Sequence, residues 1–316
     1  MRTEDGIALI GGASYDITGR LLDDARQNDS NPSRIHTGCG GVGRNVAENL
    51  ARLGRKVCLV SAFGTDALSA ELIASCKAVG IDTRLSYVKE GARACTYINL
   101  LDKRGELLLA ASDMSLTEAI PLDLLAEAAK RLNAHRFLIL DANLTEDALR
   151  CVAAHSESLL IGEAVSVAKA GRLRGILPRL YAVKANLGEL AALAGCEIRR
   201  EEELAAAGDR LIAAGVKRVF VTMGKDGARH IDEGGMTRMR GFPAEVRSVT
   251  GAGDAFCAAV AYGLLRGLPT EDILLLGAAT ARITLESPLA VSRDLTEAEA
   301  LRVRDALAAE PRAQDR

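Results

Sequence analysis

Short apolar runs rich in β-branched residues alternate with longer segments of helical periodicity through most of the chain. The runs "IALIGG", "KVCLVSAFG", "RFLILDA", "SLLIGE", "LYAVKA" and "RVFVTMG" read as buried strands, each apolar at consecutive positions and bounded by polar or turn residues. Between them, "GRNVAENLARLG" places Val46, Leu50 and Leu53 on one helical face and stops at Gly54. "DALSAELIASCKAVG" repeats that pattern and also stops at a glycine. Strand and helix in alternation predict an α/β fold, a mostly parallel central sheet with helices on its faces. Residues 14–37 and roughly 84–112 break the alternation: both have hairpin character, the second with the charged turn "DKRG" between two β-rich runs. Strands with one apolar face must cover something, so these stretches predict a small β-strand lid inserted in a single domain spanning 1–316.

Charge narrows the partners. Forty basic residues against forty-two acidic ones leave a net charge of -2, which gathers no polyanion, so neither nucleic acid nor a membrane surface is expected. The longest uncharged apolar stretch, "AFCAAVAYGLL", falls far short of the roughly 20 residues of a membrane span. The seven cysteines, at 39, 58, 76, 95, 151, 196 and 257, form no C-x-x-C pair and read as reduced thiols. "MRTEDGIALIGGASYD" has acids before a short apolar run, so it opens a strand and not a signal peptide. A cytoplasmic location is expected.

Five glycine- or acid-bearing turns carry candidate chemistry. "SVTGAGDAF" sets Gly251, Ala252 and Gly253 beside Asp254 between an apolar strand and an apolar helix. It suits a tight connection with Asp254 as an ordinary first-turn acid, or an anion site whose N–H groups meet a phosphate at a helix N-terminus. "GCGGVGRN" contains G-x-G-x-x-G, but no buried strand precedes it and no acid ends the next strand, so a dinucleotide fingerprint is incomplete. Gly40 and Gly41 would instead let a small polar ligand lie against the backbone, with Asn45 offering its amide. Asp16, at the end of "GGASYD", is either a surface acid or a carboxylate for two vicinal hydroxyls. In "KANLGEL", Asn186 and Glu189 form either a capping box or a pair of oxygen ligands for hydrated Mg²⁺. "VTMGKDG" ends a strand with Thr222, Gly224 and Gly227, which could let a triphosphate pass close to the main chain, yet Asp226 after Lys225 rules out a Walker A loop.

Taken in order, "GGASYD", "GGVGRN", "NLGE", "VTMGKDG" and "TGAGDAF" resemble the ribokinase-like (PfkB) carbohydrate kinases over nearly the whole chain. The resemblance implies an α/β body with a β lid, ATP and Mg²⁺ as cofactors, and phosphorylation of a primary hydroxyl. It makes Asp254 the catalytic base, Gly251 to Gly253 the anion hole, Asn186 and Glu189 the magnesium-linked pair through water, and Asp16, Gly41 and Asn45 the sugar contacts. "DSNPSRIHTGCGGVGRN" followed by "SDMSLT" resembles the pseudouridine-phosphorylating branch. That likeness would bring Ser30 and Lys169 to a uracil ring, with Thr96 and Asn143 near the nucleoside. Two departures stand out: Glu163 and Ala164 replace an expected Asp-Pro pair, and Ser248 replaces an acid that helps hold a monovalent cation in relatives. Potassium activation is therefore not expected.

Three readings follow: a kinase for pseudouridine, a kinase for another ribosyl compound such as adenosine, an inosine-like nucleoside or ribose, and a non-catalytic nucleoside sensor. An exposed lid edge would allow a homodimer.

Overall fold

The computed structural model describes residues 3–310. Fourteen strands run along them: β1 Thr3–Ile10, β2 Ser14–Leu21, β3 Ser33–Gly40, β4 Val57–Val60, β5 Ala62–Phe63, β6 Tyr87–Val88, β7 Thr96–Leu101, β8 Leu107–Asp113, β9 His135–Asp141, β10 Leu159–Glu163, β11 Leu180–Asn186, β12 Arg218–Thr222, β13 Ala228–Asp232 and β14 Gly235–Met239. Eight of them form the main sheet in the order β14-β13-β12-β11-β10-β9-β1-β4. From β12 to β4 all neighbours are parallel, and β13 and β14 add an antiparallel edge.

The apolar runs are continuous because both faces of this sheet are covered. Alternate residues enter two cores: Ala8, Ile10, Leu138 and Leu140 pack on one side with helices Leu122–Leu132, Glu146–His155, Leu187–Ala194 and Glu201–Ala213. Ile7, Leu9, Phe137 and Ile139 pack on the other with Val42–Arg52, Ala252–Arg266, Thr270–Leu285 and Glu297–Ala309. Helix Ala252–Arg266 is buried from Ala255 to Leu265, which its small residues permit, since alanines let neighbouring helices approach closely.

The second sheet has four strands in the order β3-β2-β7-β8, with β2 and β7 parallel and the other pairs antiparallel. Residues 22–32 and most of 84–95 lie outside its ladders. The run "KVCLVSAFG" divides at Ser61: the N–H of Tyr87 donates to the Ser61 carbonyl at 2.9 Å, so β5 leaves the main sheet and pairs with β6. Strands β13 and β14 have no counterpart in the apolar pattern, because this edge hairpin is short and largely polar.

The topology concentrates polar groups at one end. The chain passes from β1 to β4 on one side and then returns to β9 on the other, which opens a crevice at the carboxyl ends of β1 and β9. Gly11 and Gly12, Asp141, Glu163, Asn186 and Thr222 end or follow the parallel strands there. All seven cysteines are unpaired, and among the described residues no helix is long and apolar enough to cross a membrane.

Candidate active site

Helix Ala252–Arg266 begins at Gly251, whose φ of 84° lies in the left-handed region. A Cβ at Gly251 would stand 1.8 Å from the Ala290 carbonyl oxygen, so the turn requires glycine. No side chain caps this helix start, and its first N–H groups therefore retain their capacity to hold an anion at the positive end of the helix dipole. Asp254 sits in the first turn, and its Oδ2 accepts from Asn45 Nδ2 at 2.9 Å. Part of the residue reaches the surface, but its carboxyl is enclosed. That burial pushes its pKa up to about 6, against the Asn45 hydrogen bond and the Lys184 charge, which lower it.

Asn45 is held in turn. Its Oδ1 accepts from Arg44 Nη1 at 2.9 Å, and Arg44 also reaches the Cys39 carbonyl at 3.0 Å and pairs with Glu48. Helix Val42–Arg52, which carries both residues, starts at Gly41 with φ 92°. A Cβ at Gly41 would stand 2.6 Å from Ala13 Cα and Ser14 N, so the helix start lies tight against the chain leaving β1. Asp16 on β2 lies over Gly40, where a Cβ would fall 2.0 Å from Asp16 Oδ2. Ser14 donates to Asp16 Oδ1 at 2.8 Å, and burial pushes Asp16 up to about 6 despite that bond and Arg44. Thr96 faces Tyr15 across β2 and β7, its hydroxyl donating to the Ala94 carbonyl at 3.2 Å.

At the other end of the crevice, Lys169 Nζ donates to Asn143 Oδ1 at 2.8 Å. Asp141 fixes this pair in place: it accepts from the N–H of Gly12 at 2.8 Å and from the N–H of Asn143 at 3.0 Å. Ser30 is exposed in the loop between β2 and β3, its N–H bonded to Asp29, and makes no hydrogen bond to Lys169 or Asn143 among the described residues. The chain enters the Lys169 helix through Val165, whose φ of 67° is rare for a β-branched residue. The Val165 N–H reaches Glu163 Oε1 at 3.4 Å.

Asn186 and Thr222 are register partners at the ends of β11 and β12. The capping box is present: Asn186 Oδ1 accepts from the Glu189 N–H at 2.9 Å, while the Asn186 N–H and Nδ2 each donate to Glu189 at 2.8 Å. Among the described residues no group of three or more His, Cys, Asp or Glu side chains could cage a metal. Each Glu189 oxygen still has a lone pair, and Asp254 and Glu163 stand nearby, so the donor set fits a hydrated Mg²⁺ approached through water. Gly224 faces open space, with nothing within 4 Å of its Cβ direction. Gly227, at φ 85°, is needed by the turn itself, since a Cβ would meet the Met239 carbonyl at 2.2 Å.

Two features escape a reading of the sequence. Asp141 is fully buried inside an apolar run, and nothing local marks its partner Gly12, 129 residues away. Lys184 and Glu163 form a buried ion pair at 3.1 Å because β10 and β11 are in register there. The acid ending "SLLIGE" and the lysine inside "LYAVKA" were the available signals, each a charge in an otherwise apolar strand.

Comparison with known proteins agrees with this geometry. The profile of the pfkB family carbohydrate kinases matches residues 5–297. The chain is 31% identical to the pseudouridine kinase of Escherichia coli K12 over 277 residues, covering 86% of this chain and 88% of that protein. A putative sugar kinase from Clostridium perfringens superposes with TM-score 0.81 at 27% identity over 96% of this chain and 97% of the other. The Arabidopsis thaliana ribokinase, solved with ribose and ATP, superposes with TM-score 0.80 at 20% identity over 95% and 98%, a likeness of fold. With a mostly parallel sheet, an uncapped Gly-Ala-Gly-Asp helix start and a profile match over nearly its full length, the chain belongs to the pfkB family of carbohydrate kinases.

Proposed function

We propose that the chain transfers a phosphoryl group from ATP to the 5′-hydroxyl of a nucleoside, and that pseudouridine is the nucleoside. The observation that carries this reading is the Asn45–Asp254 contact at the start of helix Ala252–Arg266, which sets a carboxyl beside uncapped backbone donors. The likeness to the E. coli pseudouridine kinase supports the choice of base, as does the polar pair Asn143 and Lys169.

In this reading Asp16 and the backbone at Gly40 and Gly41 hold the ribose, and Asn143, Lys169, Ser30 and Thr96 meet or flank the base. The four-stranded sheet acts as the lid and excludes water when it closes. Asp254 takes the proton of the 5′-hydroxyl as that oxygen forms its bond to the γ-phosphorus and the bond to the bridging oxygen of ADP breaks. The N–H groups at Gly251 to Gly253 stabilise the charge on the moving group. Asn186 and Glu189 would hold Mg²⁺ through water, and Thr222, Gly224 and Gly227 would border the triphosphate. Bound Mg²⁺ supplies charge neutralisation at the phosphates. The outer face of the small sheet, with Ile35, Leu100 and Leu109 aligned across Gly19 and all exposed, supports self-association there.

A coupled ADP-release assay over pseudouridine, uridine, adenosine, inosine and ribose tests the reading. The highest kcat/KM is expected with pseudouridine. A higher value with another compound moves the substrate within the same class, and nucleoside binding by calorimetry without ADP release makes the chain a sensing module.

A further inference from the structure

Lys184 has no task in the scheme above. Its side chain is 5% exposed, and its ammonium donates to Glu163 Oε1 at 3.1 Å. It also lies against the backbone of the glycine turn: a Cβ built on Gly253 would stand 2.9 Å from Lys184 Nζ.

Stability does not account for this placement. A buried ion pair returns little net stability, because desolvating two charges offsets their attraction. A cation against the first turn of a helix faces the positive end of the dipole, the unfavourable end for a lysine. Nor is the pair closed as a structural brace, since Glu163 Oε2 finds no partner beyond the weak donor of the buried Cys257 thiol. An anion seated on the turn would reverse this balance, by placing negative charge over both the N–H groups and the ammonium.

We propose that Lys184, held by Glu163, is a positioning residue for phosphoryl transfer: its ammonium adds positive charge beneath the turn at Gly253, where the moving group would sit. The inference rests on Asp254 being the base. Asp254 is faced by Asn45, Lys184, Asp141, Asp16, Glu163 and the Cys257 thiol, and among these Lys184 is the one cation. Glu163 is faced by Lys184, Glu189, Asp254 and the buried thiol of Cys257.

The test compares Lys184→Met, the double variant Glu163→Leu/Lys184→Met and Asp254→Asn with the wild type, by melting temperature, nucleoside KM and kcat. The double variant removes both charges and leaves neither ion buried alone, so it is expected to fold. Both lysine variants should lose roughly tenfold or more in kcat with nucleoside KM little changed. A folded double variant with wild-type kcat overturns the inference, even if Asp254→Asn is inactive. Full activity in Asp254→Asn overturns the site reading beneath it.

Discussion

Asn45 Nδ2 donates to Asp254 Oδ2 at 2.9 Å, joining residues 209 positions apart and linking the first turn of one buried helix to that of another. Helices Val42–Arg52 and Ala252–Arg266 pack directly together, so the contact is set by the core and not by a loop. It favours the ionised carboxyl, which burial opposes.

Activity should therefore fall on the acid side at an unusually high pH. With Asp254 at about 6 and the ionised form acting as base, kcat/KM is flat above that value and declines as pH drops through it. Asp16, also at about 6, steepens the decline if its carboxylate holds the ribose. Asn45→Ala removes a hydrogen bond to the carboxylate and should move the limb upward. Rates measured between pH 5 and 8 check both points, and a limb near pH 4 contradicts them.

Gly251→Ala should damage the fold and the activity together. The left-handed φ and the 1.8 Å approach to the Ala290 carbonyl leave no room for a methyl group, so the turn must shift. A stability loss of about 2–4 kcal/mol is expected, with turnover reduced more than nucleoside binding. Thermal melts and steady-state kinetics on one preparation read both effects.

The base end predicts a different signature. Lys169→Met leaves Asn143 Oδ1 without its 2.8 Å donor and removes a cation from the crevice. Nucleoside KM should rise roughly tenfold with kcat nearly unchanged, because the base is held equally before and during transfer. A loss confined to kcat contradicts a base-binding role.

Potassium should not be required. The Ser248 hydroxyl accepts from the Thr250 N–H at 3.2 Å, so this position brings no carboxylate to the turn. Replacing potassium by choline at constant ionic strength should leave kcat within about twofold. A strong dependence would place a cation site elsewhere.

The main sheet and its helices were legible because their signals are local. Apolar runs such as "RFLILDA" become strands buried on both faces, and the spacing of Val46, Leu50 and Leu53 becomes a helix face. The glycine turn was legible as a site only through two alternatives, since a tight turn and an anion cradle use the same residues. At Asn186 and Glu189 the capping box is realised, and a magnesium role has to share its oxygens. Asp141 and the Lys184–Glu163 pair were not legible, because their meaning comes from strand register and from contacts across the sheet. The small sheet was foreseen in outline, while its loop 22–32 and the β5–β6 ladder follow from pairings that no single run announces.

The most direct measurement is turnover and nucleoside affinity in Asp254→Asn, a change that keeps shape while removing the proposed base. The account predicts kcat lower by about 10²–10⁴-fold, with nucleoside Kd by calorimetry essentially unchanged. Turnover close to that of the wild type would contradict it.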